Sequence, residues 1–238
     1  MEVSDDLKEM YGNYYLDEKV LMKRKIAARQ TLDHINSILP RKTYRSVIDI
    51  GAGDGSVLEE IDKANVSDEL HAVEISESGC ASMQGKNIGK LRSISQFDGY
   101  KIPADDHCFE LGLAIHVLEH VEHERAFIRE IARVCDFLYI EVPLELTLKV
   151  ARNIRIGAKY GHINYYNVAT FQNLLMSCDL EILAFEKFSA SLEYEKFLSG
   201  TVKGAVKHYL RSFALKLLPN IAPTFITYMG GAYCKLRR

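Results

Sequence analysis

Apolar positions along this chain alternate between two periods. From Asp17 to Leu39, just before Pro40, Ala28, Leu32, Ile35 and Leu39 recur at helical spacing, which predicts a helix with Asp17 as its N-cap. Arg45–Ile50 is a short apolar run ending in a glycine-rich turn, Gly51–Gly55, and predicts a buried strand. Helix 56–64, strand Leu70–Ile75, strand 91–97 and strand Phe109–Ile115 follow. Then comes helix Ala126–Val134, with Phe127, Ile128, Ile131 and Val134 on one face. Strand Asp136–Val142 is expected to stop at Pro143. Strands separated by helices predict parallel βαβ units.

The last third is less regular. Residues 144–161 read as a basic insertion, Val168–Ser177 as a helix and Leu180–Phe188 as a strand. Thr201–Leu218 reads as a long amphipathic helix and Phe225–Leu236 as a closing strand. No linker or repeat interrupts the chain. One domain spanning 1–238 is expected, with 1–40 as an N-terminal helical cap and 144–161 and 189–222 as lid insertions.

Composition narrows the class. The 238 residues are 47% hydrophobic and 26% charged, an ordinary globular balance, and a net charge of −2 speaks against a polycation built for nucleic acid. Cys80, Cys108, Cys135, Cys178 and Cys234 are scattered without a Cys-x-x-Cys pair, so reduced thiols are expected, and neither disulfides nor a zinc site. The first residues are acidic and carry no apolar signal core. No apolar run approaches the roughly 20 residues that span a bilayer. A cytoplasmic location is the expectation.

The chemistry concentrates in Val47-Ile-Asp-Ile-Gly-Ala-Gly-Asp-Gly-Ser56. Glycines at alternate positions let the backbone turn sharply and approach a ligand closely. A pyrophosphate-binding turn needs G-x-G-x-x-G; here Gly55 comes one residue early, with Ser56 after it. A nucleoside without phosphates fits better. Glu74, near the end of the second strand, suits a pair of vicinal ribose hydroxyls. Asp98, in Gln96-Phe-Asp-Gly99, suits an exocyclic adenine amine. Asp49 is placed to order the turn and to hold an ammonium group.

These residues resemble the class I S-adenosylmethionine-dependent methyltransferases. The glycine turn matches the family's first motif, Glu74 its ribose acid, and Phe97-Asp98-Gly99 its adenine-side motif. Ile102 to Val121 is similar to the family's fourth-strand segment, although Glu110 stands where the family usually has aspartate. Gly161-His-Ile-Asn-Tyr-Tyr166 resembles a segment of small-molecule methyltransferases. The resemblance implies an α/β, Rossmann-like fold: a seven-stranded, mostly parallel sheet with an antiparallel last strand, helices on both faces and helical lid insertions. It implies S-adenosyl-L-methionine as cofactor, held by Asp49, Gly51, Ala52, Gly53, Gly55, Glu74, Ile75, Phe97, Asp98, Gly99 and Ile115.

His116, His120 and His162 are the candidate catalytic residues, since a hydroxyl acceptor can require a base near neutral pH. His116-Val-Leu-Glu-His120 also matches H-x-x-E-H, a zinc-peptidase pattern. Because His116 ends a predicted strand, the match reads as a turn and no metal site is expected. Tyr11, Tyr14 and Tyr15 are candidates for closing over the cofactor.

Lys149, Arg152, Arg155 and Lys159 make the first insertion basic. Lys203, Lys207 and Arg211 share one face of the later helix, opposite Val202, Val206, Tyr209, Leu210, Phe213 and Leu217. The reading is methyl transfer, expected at oxygen, to a small-molecule or carbohydrate acceptor, with an anionic glycan or sugar nucleotide favoured by the basic lids. Contact of 201–218 with an anionic membrane surface is a further reading; no nucleic-acid partner is expected. The alternatives are a non-catalytic cofactor-binding regulatory module, a methyltransferase of protein or RNA, and a nicotinamide oxidoreductase.

Overall fold

The computed structural model describes residues 17–40 and 43–237. Its strands are β1 (Tyr44–Ile50), β2 (Ser67–Glu74), β3 (Leu91–Gln96), β4 (Phe109–Ile115), β5 (Cys135–Leu144), β6 (Leu180–Phe188) and β7 (Tyr228–Leu236). They form one sheet in the order β3-β2-β1-β4-β5-β7-β6. The first five in that order pair in parallel, and β7 runs antiparallel to both β5 and β6. The expected seven-stranded, mostly parallel sheet with its reversed last strand is therefore present.

Alternation along the strands divides the core in two. Ile48 and Ile50 of β1 and Leu138 and Ile140 of β5 lie in one cluster, against Phe127, Ile128 and Ile131 of one helix and Phe171 and Leu175 of another. Val47, Leu111, Leu113 and Tyr139 lie in the second cluster, with Ile35, Leu58, Ile61 and Met83 from other helices. Neighbouring strand residues point to opposite faces, so a sheet covered on both sides needs apolar residues at nearly every position. The burial of β4 and β5 follows that rule.

The helices are α1 (Glu18–Ile38), α2 (Ser56–Lys63), α3 (Glu77–Gln84), α4 (Glu124–Val134), α5 (Val150–Gly157), α6 (Val168–Met176), α7 (Leu192–Ser199), α8 (Thr201–Leu217) and the single turn α9 (Ala222–Phe225). Asp17 caps α1 as expected, accepting from Lys19 N at 2.7 Å. α3 and α7 carry no apolar stripe that periodicity could detect; each begins instead at a serine cap, Ser76 and Ser191. The closing strand starts at Tyr228, because residues 222–225 form a helical turn with Pro223 near its start.

Two further expectations are corrected. β5 does not stop at Pro143: Pro143 pairs with Met229 and Leu144 with Tyr228. The ladder to β4 ends at Ile115 and Glu141, so Pro143 has a single strand neighbour, and an edge position tolerates its missing N–H. The second correction concerns α8, where Lys207 and Arg211 turn toward α7 while Lys203 stays exposed. Lys207 and Arg211 meet the buried Glu195 of α7 at 2.8 and 3.2 Å. Gly204 makes this approach possible, since a Cβ there would sit 2.4 Å from the Glu195 carbonyl oxygen. Val202, Val206, Tyr209, Leu210, Phe213 and Leu217 consequently face outward, 54–78% exposed. No helix among the described residues is long and apolar enough to cross a membrane.

Candidate cofactor and acceptor site

Parallel strands bring their carboxyl ends to one edge of the sheet, and the expected site residues gather there. Asp49 on β1 pairs with Ala72 of β2 and Leu113 of β4, Glu74 of β2 pairs with Gln96 of β3, and Ile115 of β4 pairs with Glu141 of β5. Asp49, Glu74, Ile115 and the loops after β1, β3 and β4 therefore share one crevice, where open α/β sheets bind ligands.

The turn itself needs its glycines. Gly51, Gly53 and Gly55 have φ of 80°, 60° and 74°, in the left-handed region that side chains disfavour. At Gly51 a Cβ would also lie 2.7 Å from Val117 Cγ2. Glu74 ties the turn down: Gly53 N donates to its carboxylate at 2.8 Å, and Ser76 N and Oγ donate to the other oxygen at 3.0 and 2.8 Å. Ala52 is buried beneath the turn. After β3, Asp98 accepts from Tyr100 N at 2.8 Å and Lys101 N at 2.6 Å, and Gly99 takes a φ of 91°. Phe97 packs on the core beside this loop, and Ile75 is half-buried after β2. Tyr11, Tyr14 and Tyr15 lie outside the described residues.

Sequence reasoning missed Asp54, which is 1% exposed. It receives Arg24 of α1 at 2.6 Å, Lys86 at 2.8 Å and the Ser56 hydroxyl at 2.5 Å. Burial opposes its ionisation, but Arg24 and Lys86 outweigh burial and hold the carboxyl well below the usual range. Asp49 behaves oppositely. Burial pushes it up to about 7, Arg24 opposes the rise, and the carboxylates of Glu74 and Asp54 reinforce it. Three buried carboxyl groups thus surround the turn, while Arg24 and Lys86 are both engaged by Asp54. That balance repels a pyrophosphate and favours a ligand carrying positive charge.

The expected acceptor side is the H-x-x-E-H segment, which is a turn as the sequence predicted. His116 follows β4 with φ 55°, and Leu118–His120 is a 3-10 turn, so His116 and His120 are not stacked on one helix. His116 Nδ1 lies 3.3 Å from Glu119 Oε1, and its Nε2 lies 3.4 Å from Glu141 Oε1. Burial disfavours its charge, yet these two carboxylates raise it to about 10, so His116 is an imidazolium at neutral pH. Glu141 is fully buried, receives the Tyr139 hydroxyl at 2.5 Å and meets His34 Nδ1 of α1 at 2.9 Å. Despite its burial, the two histidines keep Glu141 ionised. Glu141 and His34 carried no sequence signal: each sits inside an apolar pattern that reads simply as core.

His120 and His162 come together across the loop that precedes α6. Their rings stand edge to face with centroids 4.9 Å apart. His120 Nδ1 is 3.0 Å from the Gly161 carbonyl oxygen, and His162 Nδ1 is 2.8 Å from Glu145 Oε2. Ile163 N and Asn164 N both donate to the Glu119 carbonyl, at 2.8 and 3.1 Å, which fastens this loop to the 3-10 turn.

The sheet order, the single reversed strand and the acid-lined glycine turn define the fold of class I S-adenosylmethionine-dependent methyltransferases. Residues 48–136 match the family model described as a methyltransferase domain. Ajmaline N-methyltransferase of Rauvolfia serpentina is 33% identical over 103 residues, covering 40% of this chain and 34% of the plant enzyme; the match thus spans about a third of that relative's length. A chain in the complex between the Haloferax volcanii Trm112 methyltransferase activator and the putative methyltransferase superposes with a TM-score of 0.68 at 12% identity, covering 98% of both chains. Magnesium protoporphyrin IX methyltransferase from Synechocystis PCC 6803, with S-adenosylhomocysteine bound, superposes with a TM-score of 0.59 at 14% identity, covering 92% of this chain and 86% of the other.

Proposed function

We propose that this protein transfers the methyl group of S-adenosylmethionine to an oxygen of a small-molecule or carbohydrate acceptor. The observation that carries the reading is the excess of buried carboxyl groups around a glycine turn lacking a pyrophosphate motif. The cofactor bears a sulfonium and an ammonium but no phosphate, and so matches that charge. Asp49 is placed for the ammonium. Glu74 keeps lone pairs beyond those used by Gly53 and Ser76, and these serve the ribose hydroxyls. Asp98 uses one oxygen in its own turn, and the other suits an exocyclic amine. When bound, the cofactor supplies an already activated methyl group; the chain's work is to bind, orient and exclude water.

The acceptor enters beside His120 and His162, beneath α5. Lys149, Arg152, Arg155 and Lys159 have no ion-pair partner among the described residues and are exposed, which supports an acceptor with a carboxylate or phosphate. α8 adds less to that attraction than its sequence promised, since Lys207 and Arg211 are spent on Glu195. The ajmaline N-methyltransferase and the magnesium protoporphyrin IX methyltransferase that this chain resembles are named for small-molecule acceptors, which supports the same class.

Titration calorimetry with S-adenosylhomocysteine tests the cofactor, with one site per chain expected and no comparable binding of NAD. A panel of carboxylated and phosphorylated glycans, sugar nucleotides and neutral counterparts, with labelled methyl donor, tests the acceptor. Reversing the charges of Arg152 and Arg155 is expected to raise KM for anionic acceptors about tenfold at low salt, with kcat little changed. Labelling of RNA or protein in place of the panel would overturn the acceptor class.

A further inference from the structure

We propose that Glu119, His120 and His162 form a site for a divalent transition-metal ion that anchors the acceptor. One ligand atom from each of these residues lies within 4.8 Å of the others, the spacing a single ion can bridge. The set draws on two segments far apart in sequence. Glu119 and His120 come from the 3-10 turn after β4, and His162 comes from the loop after α5. The carbonyl of Glu119 binds two successive N–H groups of that loop, and the Asn164 side-chain amide donates to the carbonyls of Leu118 and Val121 at 2.9 and 2.6 Å. The two ligand-bearing segments are therefore held rigidly against each other.

A second observation points independently to a cation. Glu119 is 1% exposed, and its Oε2 has no hydrogen-bond partner among the described residues. A buried carboxylate oxygen without a donor is costly, and a bound cation removes that cost. One atom of each group is already held by a neighbour. Glu119 Oε1 faces His116, His120 Nδ1 faces the Gly161 carbonyl, and His162 Nδ1 faces Glu145. A carboxylate or carbonyl behind each imidazole is the arrangement that aligns histidines on metals.

Two imidazoles and one carboxylate suit zinc, manganese or iron(II) better than magnesium or calcium, which prefer oxygen ligands. Three protein ligands leave open positions. An acceptor hydroxyl, carboxylate or phosphate oxygen fits them, and coordination would lower the pKa of a bound hydroxyl without any redox change. Only the Glu and the second His of H-x-x-E-H take part, so this is not the zinc-peptidase arrangement; it also replaces the expectation of no metal. The use of the ion to hold an acceptor rests on the methyl-transfer reading; the binding itself does not.

The test is calorimetric titration of chelator-treated protein with Zn2+, Mn2+ and Mg2+, together with the visible absorption spectrum of the Co2+ form. One transition ion per chain is expected, with Mg2+ binding far more weakly, and His162→Ala and Glu119→Gln each weakening Zn2+ at least tenfold. Both variants are checked for S-adenosylhomocysteine binding, which reports folding and the cofactor reading separately. Absence of stoichiometric binding, or equal affinity in a His162→Ala protein that still binds S-adenosylhomocysteine, would overturn the metal site while leaving the methyltransferase reading intact. Metal binding without S-adenosylhomocysteine binding would do the reverse.

Discussion

The glycine-turn end of the sheet and the lid end are built on opposite principles. At the turn, polar groups are buried and closely partnered: Glu74 takes three hydrogen bonds, and Asp54 takes two cations and a hydroxyl. At the lid, ion pairs are buried and apolar side chains face outward. Glu195 of α7 is 1% exposed beneath Lys207 and Arg211, while Phe213 and Leu210 are 62% and 65% exposed on the far side of α8. The first end is specified by short-range backbone demands, and its chemistry is visible in a few adjacent letters. The second exposes a row of large apolar side chains, a patch of the kind that marks an interaction surface.

Glu141 sits where the two ends meet, and removing it is expected to have the largest effect. Glu141→Ala leaves the His116 imidazolium with Glu119 alone and takes the partner from His34 and Tyr139. Loss of one side of a buried ion pair costs about 3–5 kcal/mol, measurable by urea unfolding. A loss under about 1 kcal/mol would mean that the junction is not held by this charge network.

Asp49 gives an intermediate effect that belongs to the turn alone. Burial keeps it protonated below about pH 7 in the free protein, whereas a cationic ligand favours its ionised form. Affinity for S-adenosylmethionine should therefore climb about tenfold per pH unit up to pH 7 and then level off, until the ligand's own ammonium titrates. Asp49→Asn should flatten the profile, read by calorimetry between pH 5.5 and 7.5 at values set about half a unit apart. The same logic makes Asp49 a burden on folding: its cost appears as pH rises above the unfolded carboxylate range and is complete above 7.

The smallest effect is expected on α8. Leu210→Ser and Phe213→Ser should each change stability by about 0.5 kcal/mol or less, since both side chains already face water. Leu138→Ala, in the sheet core, should cost about 2–5 kcal/mol. If the α8 substitutions destabilise as strongly as the core one, the outward orientation of this face is wrong. Flotation with anionic vesicles, comparing the same variants with the parent, measures whether lipid is what the face meets.

The difference between the ends also decides what could be read from sequence. Gly51, Gly53 and Gly55 announce a turn because few other residues accept those dihedral angles. Glu74 and Asp98 are legible from their distance to it. β4 was legible to the residue because a strand covered on both faces is apolar at nearly every position. Glu141 and His34 were not: a polar residue inside an apolar run has no pattern of its own, and its partners are set only when strands and helices pack. The orientation of α8 was illegible for a related reason. A helix with one charged and one apolar face fits two packings, and only Gly204 and Glu195, contributed by different helices, select the inverted one.

α1 touches all of this. Arg24 holds Asp54 at the turn, His34 holds Glu141 on β5, and Arg29 and Gln30 bind Glu193 and the Ser191 backbone at the start of α7. A helix fastened at three places cannot leave one of them alone. Its amides, those of the turn and those of α7 should therefore exchange with solvent deuterium through one shared opening event, and anything that tightens the turn should slow exchange at the lid.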